Sequence, residues 1–178
     1  MGLSDWIHRR RHRRGYGVHS PEGFRLVKRV IRPGREAAYY GEETLDLRDE
    51  PPRMVKEAKL LLRAVAYAQP AFVWMSAGMP PILTEAVRLA GGVVRIFDGA
   101  LYPDELPKAD MTVVYKTKLT KKQLAAATAP GKTLIAFDIA EKFLDSAEEA
   151  LASGILLEWK TGFLLEARSD SERYIYPV

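Results

Sequence analysis

The stretch "LLLRAVAYAQPAFVWMSAGMPPILTEAVRLAGG", Leu60 to Gly92, predicts a helix, a strand, a loop and a second helix in that order. Apolar residues recur at helical spacing up to Pro70, whose ring lacks the amide hydrogen that would continue the helix. "AFVWM" then has the pattern of a short buried strand, and "ILTEAVRL" that of a helix ending before Gly91 and Gly92. A strand that leads directly into a helix is typical of folds with a parallel sheet, so this stretch predicts an α/β fold.

The same alternation continues on both sides of this stretch. Before it, Ser20 and Pro21 are typical of a helix start, Phe24, Val27 and Ile31 share one helical face, and the helix should end before Pro33. After it, "VVRIFD", "MTVVYK" and "KTLIAFD" have the pattern of strands, and helical segments follow the second and third. "ILLEWKTGFLLEA" predicts an antiparallel hairpin, and "RYIYPV" one more strand. The chain therefore predicts a layered α/β fold, with a mostly parallel sheet ending in an antiparallel hairpin.

Two helix ends have their own signals. Thr120 and Gln123 have the spacing of a capping box, which predicts a helix start at "TKKQLAAATA". Gly154 follows "AEKFLDSAEEALAS" and predicts the end of that helix.

Composition excludes several kinds of site. The chain has 178 residues, of which 47% are apolar, enough to bury the core of one domain. It has no cysteine, which excludes disulfides, thiolate metal sites and cysteine nucleophiles, and its three histidines leave little room for a histidine metal site. We predict no metal. No apolar run reaches the about 18 residues that cross a bilayer, and no apolar signal core follows the N-terminus, so we expect a cytoplasmic protein that is not integral to a membrane.

Positive charge is concentrated at the N-terminus. Residues 1–35 hold ten basic and two acidic residues, whereas the remainder holds 17 basic and 21 acidic residues. The densest run of basic residues in this N-terminal part predicts either a solvated arm or a contact with RNA, DNA or an anionic membrane surface. We take residues 1–17 as a basic extension and residues 18–178 as a single domain. The candidate anion-binding residues of the extension are Arg9, Arg10, Arg11, Arg13 and Arg14.

A distinctive segment, "GVHSP" at residues 17–21, is followed by Phe24. With the helix that runs into "AFVWMSAG", the strand "VVRIFDG" and the closing hairpin, it resembles the class I S-adenosylmethionine-dependent methyltransferase family. The resemblance is to a compact bacterial group that begins with a Gly-x-His-Ser-Pro segment, and it covers about three quarters of the chain. It implies a Rossmann-like, methyltransferase-type three-layer sandwich and S-adenosylmethionine as the cofactor.

The cofactor loop departs from the family pattern. In that family the first strand ends in an acidic residue and a glycine-rich turn, which lets the backbone approach the cofactor. Here Trp74 occupies the acidic position, and Ser76 and Pro80 occupy glycine positions. Gly78 keeps its backbone freedom, whereas Pro80 and Pro81 remove two amide donors. Ser76 and Gly78 remain the candidate cofactor contacts of this loop.

The second strand supplies the other half of the implied cofactor site. Asp98 lies about 20 residues past the loop, where a carboxylate takes both ribose hydroxyls, and Gly99 follows it. An acidic residue at a strand end beside a glycine is also a common turn residue, and a turn role is the simpler interpretation of Asp98. The next segment, "GALYPDELPKAD", is a short loop where the family has a helix and a further strand. We therefore expect the sheet to lack one edge strand-helix unit.

His19 and Asp138 are the candidate catalytic residues. Asp138 ends the strand "TLIAFD" at a position where the resemblance implies acidic residues that bind a metal or orient the substrate. Because Ile139 follows it, the paired carboxylates of a hard-cation site are missing, and a helix N-cap is the simpler interpretation. His19 has a possible role as a base, and a structural role at the helix start is the alternative.

Three hypotheses follow. The first is a methyltransferase-like protein that has lost catalysis and acts by binding, through a protein partner, a second copy of the chain or a nucleic acid. The second is an active methyltransferase with an atypical pocket, in which Gly78 and Asp98 hold the cofactor and His19 or Asp138 orients the substrate. The third is an anionic-surface binder that uses the arginines of residues 8–14.

Overall fold

The structure is a computed structural model that describes residues 18, 20–33, 41–97, 109–139, 141–169 and 173–177. These ranges hold seven β-strands and five α-helices. The predicted basic extension, residues 1–17, lies outside them.

The seven strands belong to one sheet. They are β1 Val73–Ser76, β2 Val94–Phe97, β3 Met111–Tyr115, β4 Thr133–Phe137, β5 Gly154–Trp159, β6 Gly162–Ala167 and β7 Arg173–Pro177. Their spatial order is β2-β1-β3-β4-β6-β5-β7. Strands β2, β1, β3 and β4 run parallel, β6 is antiparallel to both β4 and β5, and β7 is parallel to β5. The predicted α/β class with a mostly parallel sheet is confirmed.

Helices cover both faces of this sheet. They are α1 Pro21–Leu26, α2 Pro52–Ala68, α3 Pro81–Leu89, α4 Lys121–Ala127 and α5 Glu141–Ala150. Side chains of α1, α2 and α3 form one core cluster with Val73 and Met75 of β1. Side chains of α4 and α5 form a second cluster that includes Trp74. Because successive residues of a strand point to opposite faces, β1 separates two helical layers.

The hairpin of β5 and β6 is confirmed, but it is not the last element of the sheet. Residues 160 and 161 form its turn, and β7 then pairs with the free side of β5. Gly154, predicted to end a helix, is the first residue of β5, while α5 already ends at Ala150. Gly154 has φ +135, and a side chain there would collide with the Glu166 carbonyl, so this position requires glycine for the pairing of β5 with β6.

Helix α1 begins as the sequence predicts. The Ser20 hydroxyl accepts a hydrogen bond from the Gly23 amide, and Pro21 occupies the first helical position. The helix then continues as a π-helical segment, Val27–Ile31, and ends before Pro33. The Ser20 amide in turn donates to the Tyr176 hydroxyl of β7, at 3.3 Å. The start of α1 is therefore fixed against the last strand.

The predicted buried face of α1 is partly wrong. Val27 is fully buried, but Phe24 is 42% exposed, and Leu26 and Val30 take the inner positions. The buried positions are Gly23, Leu26, Val27 and Val30, which have the spacing of an α-helical face that is turned from the predicted one. Gly23 lies close to Val18 and Tyr176, so this side of the helix, and not the side of Phe24, meets the rest of the domain.

Strand β2 is the outermost strand on its side among the described residues. The segment predicted to lack a strand-helix unit, residues 99–108, lies outside the described ranges. The prediction that this unit is missing therefore remains a prediction.

The capping box of α4 gives the first test. The Thr120 hydroxyl accepts from the Gln123 amide at 3.3 Å, and the Gln123 side chain accepts from the Thr120 amide at 2.7 Å. We expect Thr120→Ala to lower the free energy of unfolding by about 1 kcal/mol, as measured by urea denaturation. Thr120→Ser keeps the capping oxygen and should stay close to the wild type. Equal losses in the two variants would show that the cap contributes nothing.

Candidate functional site

The carboxyl edge of the parallel strands contains the candidate site. The chain passes from β1 to β2 on one side and then returns to place β3 on the other side of β1. In open α/β sheets ligands bind outside the carboxyl ends of the strands, where the strand order reverses in this way. The relevant crevice therefore lies between the ends of β1 and β3.

The loop after β1 is open on its outer side. Ala77 and Gly78 are exposed, and Gly78 has φ +73. Apart from Gly78 and its two chain neighbours, no heavy atom of the described residues lies within 4 Å of the position that a side chain at Gly78 would occupy. Met79, by contrast, packs against the core cluster of α2 and α3. Backbone can therefore be approached from solvent at Gly78, as a cofactor loop requires.

Ser76 turns inward. Its side chain is buried, and its hydroxyl accepts a hydrogen bond from the Tyr115 amide at 3.0 Å. This bond ties the end of β1 to the end of β3, across the point where the strand order reverses. The Ser76 side chain is therefore hydrogen-bonded to the backbone of the neighbouring strand.

The start of α3 offers few hydrogen-bond donors. A helix normally leaves four amides free at its N-terminus, and anions bind there. In α3 the cap residue Pro80 and the first helical residue Pro81 have no amide hydrogen, and the Leu83 amide donates to the Pro80 carbonyl at 3.0 Å. Among the described residues, the Ile82 amide is the one of the usual four for which no acceptor is seen. This helix start is a weak site for an anion.

Trp74, at the position where the resemblance implies an acidic residue, belongs to the core. Its side chain is 5% exposed and packs in the cluster formed with α4 and α5. It therefore fills the layer beneath the sheet and offers no carboxylate to a ligand at the edge.

Asp138 lies at the same edge, at the end of β4, in a chain of ion pairs. Its Oδ1 is 2.9 Å from Nη2 of Arg53, and its Oδ2 is 3.4 Å from Nζ of Lys116. Arg53 also pairs through Nε with Oε1 of Glu57, at 2.8 Å. The carboxylate of Asp138 thus uses both oxygens within the protein.

These pairs set the charge of Asp138. The hydrogen bond from Arg53, joined by the contact with Lys116, lowers the pKa of Asp138 against the opposing effect of burial. The hydrogen bond to Asp138 in turn raises the pKa of Lys116. Both groups are therefore charged at neutral pH, and Asp138 is a poor general base because its proton affinity is reduced.

Asp138 and Lys116 also share an unusual backbone conformation. Their φ values are +52 and +53, in the left-handed region that most side chains avoid. The Lys116 amide donates to the Phe137 carbonyl, and the Asp138 amide donates to the Thr161 carbonyl. Residues in this strained conformation are found preferentially at functional sites, and here two of them follow neighbouring strands.

Glu57 is the last member of the chain of ion pairs that begins at Asp138. Its side chain is 5% exposed, and Oε2 is buried without a hydrogen-bond partner among the described residues. A buried carboxylate oxygen without a donor is costly. Among the described residues, it is the oxygen of the Arg53 network that lacks a donor.

The structure describes three of the predicted site residues, Ser76, Gly78 and Asp138, and places all three at the carboxyl edge, with β3 between β1 and β4. Within the described ranges, no three histidine, aspartate or glutamate side chains are grouped as they would be around a metal ion. The remaining predicted residues lie outside the described residues and stay predictions: His19, Asp98, Gly99, Arg9, Arg10, Arg11, Arg13 and Arg14.

Sequence reasoning missed Arg53, Glu57 and Lys116. Arg53 and Glu57 are four residues apart at the start of α2, a spacing that predicts an ion pair. Lys116 follows β3 as Asp138 follows β4, and neighbouring parallel strands bring their ends together. Both signals are present in the sequence, but neither points to a ligand.

Comparison with known proteins adds no family. No family model matches the sequence, and no curated protein matches it significantly. In the part of the chain that the structure describes, no helix is long and apolar enough to cross a membrane.

The ion pairs of Asp138 give a prediction that depends on pH. Because the pKa of Asp138 is lower in the folded protein than in the unfolded chain, its pairs stabilise the fold above the ordinary aspartate pKa of about 4. This stabilisation is lost as the pH falls through the folded pKa. We expect Asp138→Asn, which tolerates the left-handed backbone, to lower the free energy of unfolding by about 1 kcal/mol at pH 7. The difference should shrink as the pH falls below about 4 and through the lowered pKa of Asp138.

Asp46→Asn is the matched control, since it removes a carboxylate from an exposed pair with Arg48. Solvent screens that pair, so its loss at pH 7 should be smaller. Urea denaturation across the pH range measures both variants. A loss for Asp138→Asn that does not change with pH would contradict a role of the charge.

Proposed function

We propose that the protein is a methyltransferase-like α/β protein that has lost catalysis and acts by binding. The parallel strands β1 to β4, the helices on both faces and the antiparallel hairpin support the methyltransferase-like part, because they match what the resemblance implies. A Rossmann-like arrangement is compatible with this topology. The proposed loss of catalysis is argued from the residues at the carboxyl ends of the parallel strands.

The observation that carries the proposal is the Ser76 hydrogen bond. The Ser76 hydroxyl accepts from the Tyr115 amide across the crevice in which a cofactor would lie. The hydroxyl keeps its own proton, but the Ser76 side chain is only 1% exposed. A ligand at the edge would reach it only if the two strand ends separated, and the hydrogen bond resists that separation. With Pro80 and Pro81 at the start of α3, the loop does not fit S-adenosylmethionine.

Asp138 supports the same proposal. Catalysis by a carboxylate requires an oxygen that reaches the substrate, and both oxygens of Asp138 are paired with cations of the protein. Glu57 and Arg53 extend this pairing inward. The edge is therefore an internal ion-pair network, which stabilises the strand ends.

An active methyltransferase with an atypical pocket is the second candidate, and two observations favour it. Gly78 presents open, left-handed backbone to solvent, and Glu57 has one buried oxygen without a described donor. In this alternative Gly78, Asp98 and Gly99 hold the cofactor, and His19 or Asp138 orients the substrate.

Calorimetric titration of the full chain with S-adenosylmethionine and S-adenosylhomocysteine separates the two candidates. If catalysis is lost, we expect no heat of binding and no thermal shift at about 1 mM cofactor, a concentration that detects even weak sites. Asp98→Ala should behave as the wild type does.

Binding at about micromolar strength would overturn the proposal, provided that Asp98→Ala abolishes it. Asp145→Ala is the matched control, since it also removes one acidic charge, from an exposed position on α5. Loss of binding in both variants would point to a general effect of charge.

A further inference from the structure

Helix α1 and the π-helical segment that follows it expose four basic residues on one side: Arg25, Lys28, Arg29 and Arg32. Their spacing of three and four residues places them on a common helical face, here called the basic face. The opposite side, with Leu26, Val27 and Val30, is buried in the core. The fold thus holds the basic face in a fixed position and points it to solvent.

The charge of the basic face is not neutralised within the described residues. Residues 20–32 contain these four basic residues and one acidic residue, Glu22. The Glu22 carboxylate accepts from the Ser20 hydroxyl, and no described acidic side chain pairs with the basic face. Arginines elsewhere do have carboxylate partners, as Arg48 and Arg173 show.

This arrangement costs stability unless an anion is bound. Arg25 lies three residues from Lys28 and four from Arg29 on this helix, and like charges at these spacings are destabilising. A π-helical segment is also rare, and such segments are frequently found at functional sites. A negatively charged partner would relieve the repulsion.

A cleft opens at the end of α2, the helix on which the π-helical segment packs. It has a volume of about 470 Å³, which lies in the range of small-molecule sites. Tyr67 lines it from the end of α2, together with Gly131 and Thr133 at the start of β4 and Arg168 after β6. Arg168 is held in place by two hydrogen bonds to Oε1 of Glu166, at 3.0 and 2.6 Å. The cleft lies at the amino end of β4, away from the carboxyl edge.

The electrostatics of Tyr67 connect the cleft to the basic face. Burial and the charge of Glu166 raise the pKa of Tyr67, while Arg168, Arg29 and Arg25 act in the opposite direction. The π-helical segment also packs on α2, and Tyr67 of α2 lies against the core cluster that holds Val27 and Val30. The basic face and the cleft therefore belong to the same pair of packed helices.

We propose that the basic face and the Tyr67 cleft together bind single-stranded nucleic acid. The phosphates lie along Arg25, Lys28, Arg29 and Arg32, and one base enters the cleft beside Tyr67. Proteins bind single strands by this combination of a positively charged track and an aromatic side chain on which a base stacks.

An anionic membrane fits these observations less well. Helices that lie in a membrane interface insert an apolar face, and the apolar face of α1 is already buried in the core. Phe24 is the only large hydrophobic residue that the described part of this helix exposes, and the ammonium of Lys28 lies 5.6 Å from its ring centre. The surface presents charge with little apolar area to insert.

This inference rests on the proposed function only in taking the protein to act by binding. It involves neither the carboxyl edge nor a cofactor. A negative result in the cofactor titration therefore says nothing about nucleic-acid binding, and a negative result in the nucleic-acid titration says nothing about the cofactor.

Fluorescence anisotropy with a labelled 15-nucleotide single-stranded RNA and the full chain tests the proposal. We expect Arg25→Gln/Arg29→Gln to weaken binding about tenfold and to reduce the slope of log affinity against log salt by about 1.4, since each phosphate contact to a single strand contributes about 0.7. Lys121→Gln/Lys122→Gln is the matched control, because it removes two exposed charges from α4. It should change the affinity less than about twofold.

Tyr67 tests the cleft separately from the charge. Tyr67→Phe keeps the ring and should keep the affinity, whereas Tyr67→Leu should weaken binding about tenfold through lost stacking, with the salt slope unchanged. Thermal denaturation establishes that each variant is folded. The arginines of residues 9–14 are present in every variant, so a difference reports on the basic face or the cleft.

Three outcomes would overturn the proposal. The first is full affinity in Arg25→Gln/Arg29→Gln, and the second is an equal loss in the Lys121 and Lys122 control. The third is binding to phosphatidylserine vesicles without binding to RNA, which would make the basic face a membrane surface. Cofactor binding together with the expected RNA results would overturn the proposed loss of catalysis and leave this inference intact.

Discussion

Burial of the central strands on both faces is the constraint on which the fold depends. Every residue of β1 is buried, and Trp74 points to one side while Val73 and Met75 point to the other. A strand of this kind exposes apolar surface on two sides, so it is stable only between two helical layers. The neighbouring strands β3 and β4 have the same requirement, and the helices that follow them supply the second layer.

The sequence predicts this part of the molecule well because the responsible interactions are local. Apolar runs, Pro70, and the pair Thr120 and Gln123 act on residues a few positions away. Prediction fails where the deciding partner is distant in the chain. Phe24 is exposed because the neighbouring side of the helix, at Gly23, lies against Val18 and the distant Tyr176. Gly154 starts a strand because it must pass close to the Glu166 carbonyl.

The candidate site also combines local features, which the sequence predicts, with long-range contacts, which it does not predict. The departures of Trp74 and Pro80 from a cofactor loop are visible in the sequence, since they concern residue types at known positions. The pairing of Asp138 with Arg53 and Lys116 is not, because it depends on how α2 and two strand ends meet in space. The hydrogen bond from the Tyr115 amide to Ser76 likewise joins residues 39 positions apart.

The contact between Ser20 and Tyr176 has a consequence for the order of folding. It joins residues 156 positions apart, so this hydrogen bond forms only after nearly the whole chain has been synthesised. Leu26, Val27 and Val30, by contrast, pack in one core cluster with side chains of α2 and α3, which precede the last strand in the chain. A chain that stops before Tyr176 would therefore lose the anchor of the Ser20 amide while the apolar side of α1 still has α2 and α3 to pack against.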